Sequence, residues 1–81
     1  MLVKIRLFAR LRELTGAGEL ERELPDGATA ENAWERLAGE FEGLRPYGPA
    51  VSCAVNENYA PKSTRLQDGD EVAFLPPVSG G

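Results

Sequence analysis

The chain has 81 residues, 9 Lys and Arg against 13 Asp and Glu for a net charge of −4, a single Cys and no His. That length holds one domain with a small core, which argues against a deep self-contained active site and places function on a surface, a tail or a shared interface. The acidic balance argues against direct nucleic-acid binding and suits either simple solubility or a partner with a basic face.

One Cys excludes an internal disulfide framework and fits a reducing compartment. The charges that interrupt Met1-Leu2-Val3-Lys4-Ile5-Arg6 are unlike a signal peptide. No stretch approaches the roughly 20 apolar residues a membrane helix needs, so no membrane partner is expected and a cytoplasmic location is.

In chain order, residues 2–8 alternate, with Val3, Ile5 and Leu7 on one face and Leu2, Lys4, Arg6 and Phe8 on the other, which predicts a half-buried strand. Residues 9–15 read as a short helical turn, ended by Gly16-Ala17-Gly18. Residues 19–24 alternate again, with Leu20 and Leu24 inward and glutamates outward. They predict an edge strand closed by Pro25-Asp26-Gly27.

The main helix follows. Thr29 is suited to N-cap it, and Glu31 lies in its first turn at the positive end of the dipole. Ala30, Ala33, Trp34, Leu37, Ala38 and Phe41 fall at spacings of three and four and form one apolar stripe. Gly39 weakens the helix by up to about 1 kcal/mol relative to Ala, and Gly43 is the expected C-cap.

Residues 44–50, with Gly and two prolines, read as a loop. Val51, Cys53 and Val55 form the inward face of another strand. Asn56-Glu57-Asn58 is a turn, Tyr59-Ala60 a short extended piece, Asp68-Gly69 a second turn, and residues 71–75 the last strand. The order predicts an α+β fold of the β-grasp (ubiquitin-like) type, a mixed sheet of about four to five strands with one main helix across one face. A split βαβ arrangement is the competitor, which the single helix disfavours. The expected division is a domain over residues 1–75 and a flexible tail over residues 76–81.

Without His there is no Ser–His or Cys–His pair, and no multi-ligand metal site is expected. Gly16-Ala17-Gly18 lacks the third glycine and following helix of a dinucleotide loop. The carboxylates fall on outer faces, where solvation is the ordinary role. Cys53 reads as a small core residue rather than a nucleophile, because it shares an inward face with Val51 and Val55.

What remains is the tail, Pro76-Pro77-Val78-Ser79-Gly80-Gly81. The prolines cannot continue sheet hydrogen bonding, so the strand should stop at Leu75 and the chain leave the domain. Six extended residues reach roughly 20 Å, enough to thread a partner's cleft. Gly80 and Gly81 have no Cβ, so a narrow channel admits their backbone. A terminal carboxylate is inert until activated. As an acyl-adenylate it is open to a sulfur nucleophile, giving a thiocarboxylate, or to a Lys amine, giving an isopeptide.

The run from Asp68-Gly69-Asp70-Glu71-Val72-Ala73-Phe74-Leu75 through the tail to Gly80-Gly81 resembles the C-terminal signature of the small, sulfur carrier subunit family of molybdopterin synthase, within the ubiquitin-like sulfur carriers. Phe8-Ala9-Arg10-Leu11-Arg12-Glu13-Leu14 is similar to that family's first-strand exit, and Ala54-Val55-Asn56 to its central strand end. Ser79 stands where Thr is also common.

The resemblance implies that an adenylyltransferase related to ubiquitin-activating enzymes uses ATP to adenylate Gly81, which sulfur transfer converts to a thiocarboxylate. It implies docking on the synthase large subunit in a heterotetramer, two of each. There the tail would donate sulfur to cyclic pyranopterin monophosphate for the dithiolene that later holds molybdenum. No cofactor or metal would be bound by this chain, and the side chains that bind substrate would belong to the large subunit. Alternation adds an expected partner surface of Phe8, Leu75 and Tyr59 beside the tail exit, with Arg12 as a candidate partner for a carboxylate. The rival readings are a sulfur carrier for tRNA thiolation or thiazole synthesis, a ubiquitin-like modifier conjugated through Gly81, and a non-covalent interaction domain.

Overall fold

The computed structural model describes residues 1–77. Strands β1 (Leu2–Leu7), β2 (Glu19–Glu23), β3 (Ser52–Val55), β4 (Asn58–Ala60) and β5 (Glu71–Leu75) form one mixed sheet in the order β2-β1-β5-β3-β4. The hairpin β1–β2 is antiparallel, with Ile5 opposite Leu20. At the sheet's centre β1 and β5 run parallel, with Ile5 opposite Val72 and Leu7 opposite Phe74. β3 pairs antiparallel with both β5 and β4.

Two helices complete the architecture, α1 (Ala9–Thr15) and α2 (Ala30–Glu40). Helix α2 is the expected main helix and starts where Thr29 predicts. The Thr29 hydroxyl accepts from the Asn32 N–H at 3.2 Å, and the Asn32 side-chain oxygen accepts from the Thr29 N–H at 2.9 Å. This reciprocal pair satisfies two donors that a helix start otherwise leaves unpaired, with Asn in the place Glu or Gln more often fills. The predicted stripe is buried at Ala30, Ala33, Trp34, Leu37 and Ala38, while Phe41 is half-buried.

The stripe packs on the inward residues of β1 and β5, Val3, Ile5, Leu7, Val72 and Phe74, in one core cluster. Trp34 meets Phe74 edge-on at 5.2 Å between ring centroids. That geometry adds about 0.5–1.5 kcal/mol beyond the area buried.

Two expectations are corrected. Helix α2 ends at Glu40 with Phe41 as its cap, not Gly43, and the Phe41 N–H closes on the Leu37 carbonyl at 2.7 Å. Residues 44–50 are not all loop, because a 3-10 turn spans Glu42–Tyr47 and contains Gly43. The cause is apolar. Leu44 must reach the core, where it is fully buried, and a tight turn directly after Phe41 carries it there.

Residues 9–15 form a full α-helix, α1, anchored by fully buried Leu11 and closed by Gly16 at φ 75°. That positive φ is the left-handed cap glycine adopts freely. Arg22 of β2 holds the Glu40 carboxylate at the end of α2 at 2.6 Å, and Arg36 reaches it at 3.2 Å. These contacts, Arg22 first, hold the Glu40 carboxyl below the usual carboxylate range.

The start of β5 is fixed by short polar contacts. Asp68 accepts from the Leu2 N–H at 2.7 Å, and Asn56 accepts from the Glu71 N–H at 3.0 Å. The Asn56 amide also donates to Asp70 at 3.0 Å.

Candidate functional site: the outer sheet face and tail exit

The last strand lies in the middle of the sheet, flanked by β1 and β3, and delivers the chain to the outside at one end. Its final residue, Leu75, sits opposite Ser52 of β3, and the prolines follow directly, Pro76 half-buried and Pro77 exposed. Proline has no N–H for a ladder, so the pairing ends where the sequence predicts. The expected chemical group, Gly81, lies outside the described residues together with Gly80, Ser79 and Val78.

Val72 and Phe74 point into the core, which leaves Glu71, Ala73 and Leu75 on the opposite face, all half-buried. Register sets out a row across that face, Arg6 opposite Ala73, Ala73 opposite Ala54, and Ala54 opposite Tyr59. Phe8 continues β1 in extended geometry, φ −122° and ψ 155°, and is 38% exposed. Tyr59 is 78% exposed on edge strand β4.

Phe8, Leu75 and Tyr59 therefore share the outer face by strand alternation. Tyr59 is set off from Leu75 by the width of β3. Arg12 lies on α1 and lines one cleft with Arg6 and Phe8.

Arg6, which alternation places on the same face, was not among the residues expected at the partner surface. Its guanidinium carbon lies 5.4 Å from the centroid of the Phe8 ring. The signal was present in the sequence, a cation two positions before an outward aromatic, where alternation puts both on one face.

Cys53 is where the pattern predicts, 2% exposed on the inward side of β3. Its Sγ donates to the Ala60 carbonyl at 3.1 Å. Burial pushes the thiol pKa up, against a smaller opposing pull from Lys62. A thiol held protonated is a poor nucleophile, so this one serves packing.

The last strand thus runs through the sheet's centre and leaves it at Pro76-Pro77. The family model described as the ThiS family matches residues 5–81. The chain belongs to the ThiS family. Its relatives include a molybdopterin synthase sulfur carrier subunit of Arabidopsis thaliana, 40% identical over 98% of this chain and 82% of the relative.

Among solved structures, a putative molybdopterin converting factor subunit 1 from Pyrococcus furiosus is 36% identical with a TM-score of 0.84, covering 96% of this chain and 99% of that one. SAMP1 from Haloferax volcanii, a small archaeal modifier protein, is 29% identical with a TM-score of 0.86, covering both chains completely. A chain from the complex of subunits 1 and 2 of the molybdopterin-converting factor of Helicobacter pylori is 26% identical with a TM-score of 0.69, again over both complete chains. These likenesses run the length of a ThiS-family domain, so they cover the outer face together with the core.

Proposed function

We propose that this chain is the sulfur carrier subunit of molybdopterin synthase, a sulfur donor with no active site of its own. The observation that carries the reading is the 40% identity over 98% of the chain to a protein with that role. The emergence of β5 from the sheet centre into Pro76-Pro77 supports it, because that exit suits a tail presented to another protein.

In this reading Gly81 is adenylated with ATP by an activating enzyme and then carries sulfur as a thiocarboxylate. Pro76, Pro77, Val78, Ser79 and Gly80 thread the large subunit's cleft, and the sulfur passes to cyclic pyranopterin monophosphate to build the dithiolene. The pairing with a larger subunit is supported by the Helicobacter pylori relative in its complex. A heterotetramer of two chains of each kind in the cytosol is the assembly this chemistry suits. Phe8, Leu75 and Tyr59 form the docking surface, with Arg12 beside them. Activation followed by sulfur attack splits one hard substitution into two easier ones.

The test is the intact mass of the protein with an untagged C-terminus, isolated from its own cytosol, followed by addition of the large subunit and the pterin. One oxygen replaced by sulfur on Gly81, with dithiolene formed, is the expected result. The same mass without product would move the carrier to tRNA thiolation or thiazole synthesis.

A second reading, a protein modifier joined to lysines through Gly81, is favoured by the likeness to SAMP1. A plain carboxylate together with a ladder of heavier covalent species bearing this chain would establish it instead.

A further inference from the structure

Beside the tail exit the surface is concave, in a chain whose overall charge is negative. A cleft of about 250 Å³ is lined by Arg6 and Phe8 at the end of β1, by Arg12 of α1, and by Gly18 and Glu19 at the start of β2. Its floor is closed by backbone, since the Leu7 N–H donates to the Gly18 carbonyl at 2.9 Å.

Arg6 and Arg12 make no ion pair among the described residues, whereas Arg10, Arg22 and Arg36 all do. Glu19 stands directly across from Arg6 in the β1–β2 register, yet its ion pair is with Lys4, at 4.0 Å.

Each guanidinium instead rests on an uncharged support. Arg6 lies over the Phe8 ring at 5.4 Å. Arg12 lies so close over Gly18 that a Cβ there would meet its Nε at 3.3 Å. A planar cation held this way keeps its fork of donors in position while its charge stays uncompensated. The ligand that matches such a fork is a carboxylate, taken in paired hydrogen bonds.

We infer that the Arg6–Arg12 cleft is a socket for an Asp or Glu side chain of the protein that receives the tail, which under the proposed function is the synthase large subunit. The inference rests on that function for the partner's identity. Two observations argue for a protein carboxylate there. The cleft is positive on an acidic chain, and it adjoins, through Phe8, the outer face beside the tail exit. Docking would then be a two-part contact, Phe8 giving apolar area on its open side and a platform for Arg6. Arg6 would add specificity and association rate, which complementary charges supply more readily than raw affinity.

The test measures the affinity of the full chain for the large subunit by calorimetry at low and moderate salt. Arg6→Gln with Arg12→Gln should raise Kd tenfold or more and flatten its salt dependence. The control pair Arg45→Gln with Arg65→Gln makes the same change in net charge at exposed positions outside the cleft, and should change Kd less than twofold. In a Phe8→Leu background, Arg6→Gln should lose most of its effect, because the platform is gone. Thermal unfolding of every variant confirms that the domain stays folded.

Equal weakening by both pairs would reduce the effect to general charge attraction and overturn the socket. Unchanged affinity in the cleft pair would overturn it as well. If the unaltered chain does not bind the large subunit, the proposed function falls and this inference falls with it. That failure is distinguishable because it appears before any substitution is made.

Discussion

The single thiol lies in the core at Cys53, while the sulfur chemistry proposed for the chain belongs to a carboxylate at the other end of its logic. Cys53 is almost fully buried, hydrogen-bonded to Ala60 and pushed toward its protonated form. Cys53→Ala should therefore leave sulfur loading of Gly81 unchanged while lowering stability by about 1 kcal/mol, the order expected for one small buried group. Intact mass after activation and a urea titration measure the two effects. A loss of loading in the folded variant would make the thiol a relay. The packing role was legible from the alternation of Val51, Cys53 and Val55. The Arg6 contact to Phe8 was not taken from the same alternation, because a strand pattern assigns a face without saying which neighbours on it touch.

At the scale of elements, helix α2 was the most readable part, since stripe and cap agree with each other. Its end was not. Gly43 carries a cap signal in sequence, but the burial of Leu44 decides where the helix stops, and that is a tertiary effect outweighing a local one. Of the contacts that tie this end down, Arg36 to Glu40 is an i,i+4 pair that the helix spacing announces, whereas Arg22 to Glu40 joins residues 18 apart and no local pattern announces it.

It has a pH signature. The Glu40 carboxyl is depressed in the folded state, so its contribution is present above the unfolded value of about 4.3 and is lost as pH falls through the folded one. Glu40→Gln should cost about 0.5–1 kcal/mol at pH 7, a modest figure because the pair is partly solvated. The gap to the unaltered chain should narrow as pH falls below the unfolded value, and urea unfolding at pH 7 and at acidic pH checks it. A gap that persists at low pH would assign the contact to packing instead.

For the whole molecule, the strand order could be inferred only as a class. The parallel pairing of β1 with β5 joins the first and last strands, and a period-two pattern does not reveal its partner. The site divides in the same way. The tail was expected from sequence because chemistry at a chain end needs no folding to bring residues together, but it lies beyond the described residues, whereas the outer face depended on register. Phe8→Ala and Leu75→Ala should each weaken binding to the large subunit by about 1–3 kcal/mol without unfolding the domain, measured as Kd alongside thermal unfolding. Undiminished affinity in both would remove the outer face from the docking account.

The central placement of the last strand also has a mechanical meaning. A tail withdrawn from a tight cleft transmits tension to Leu75 along the axis of β5, and β5 is gripped on one side by β1 and on the other by β3. Tension in that direction loads both ladders in shear, so their hydrogen bonds resist together rather than peeling apart one after another. Under the proposed function, a carrier inserted and pulled free at every turnover would have its line of traction through the middle of the sheet.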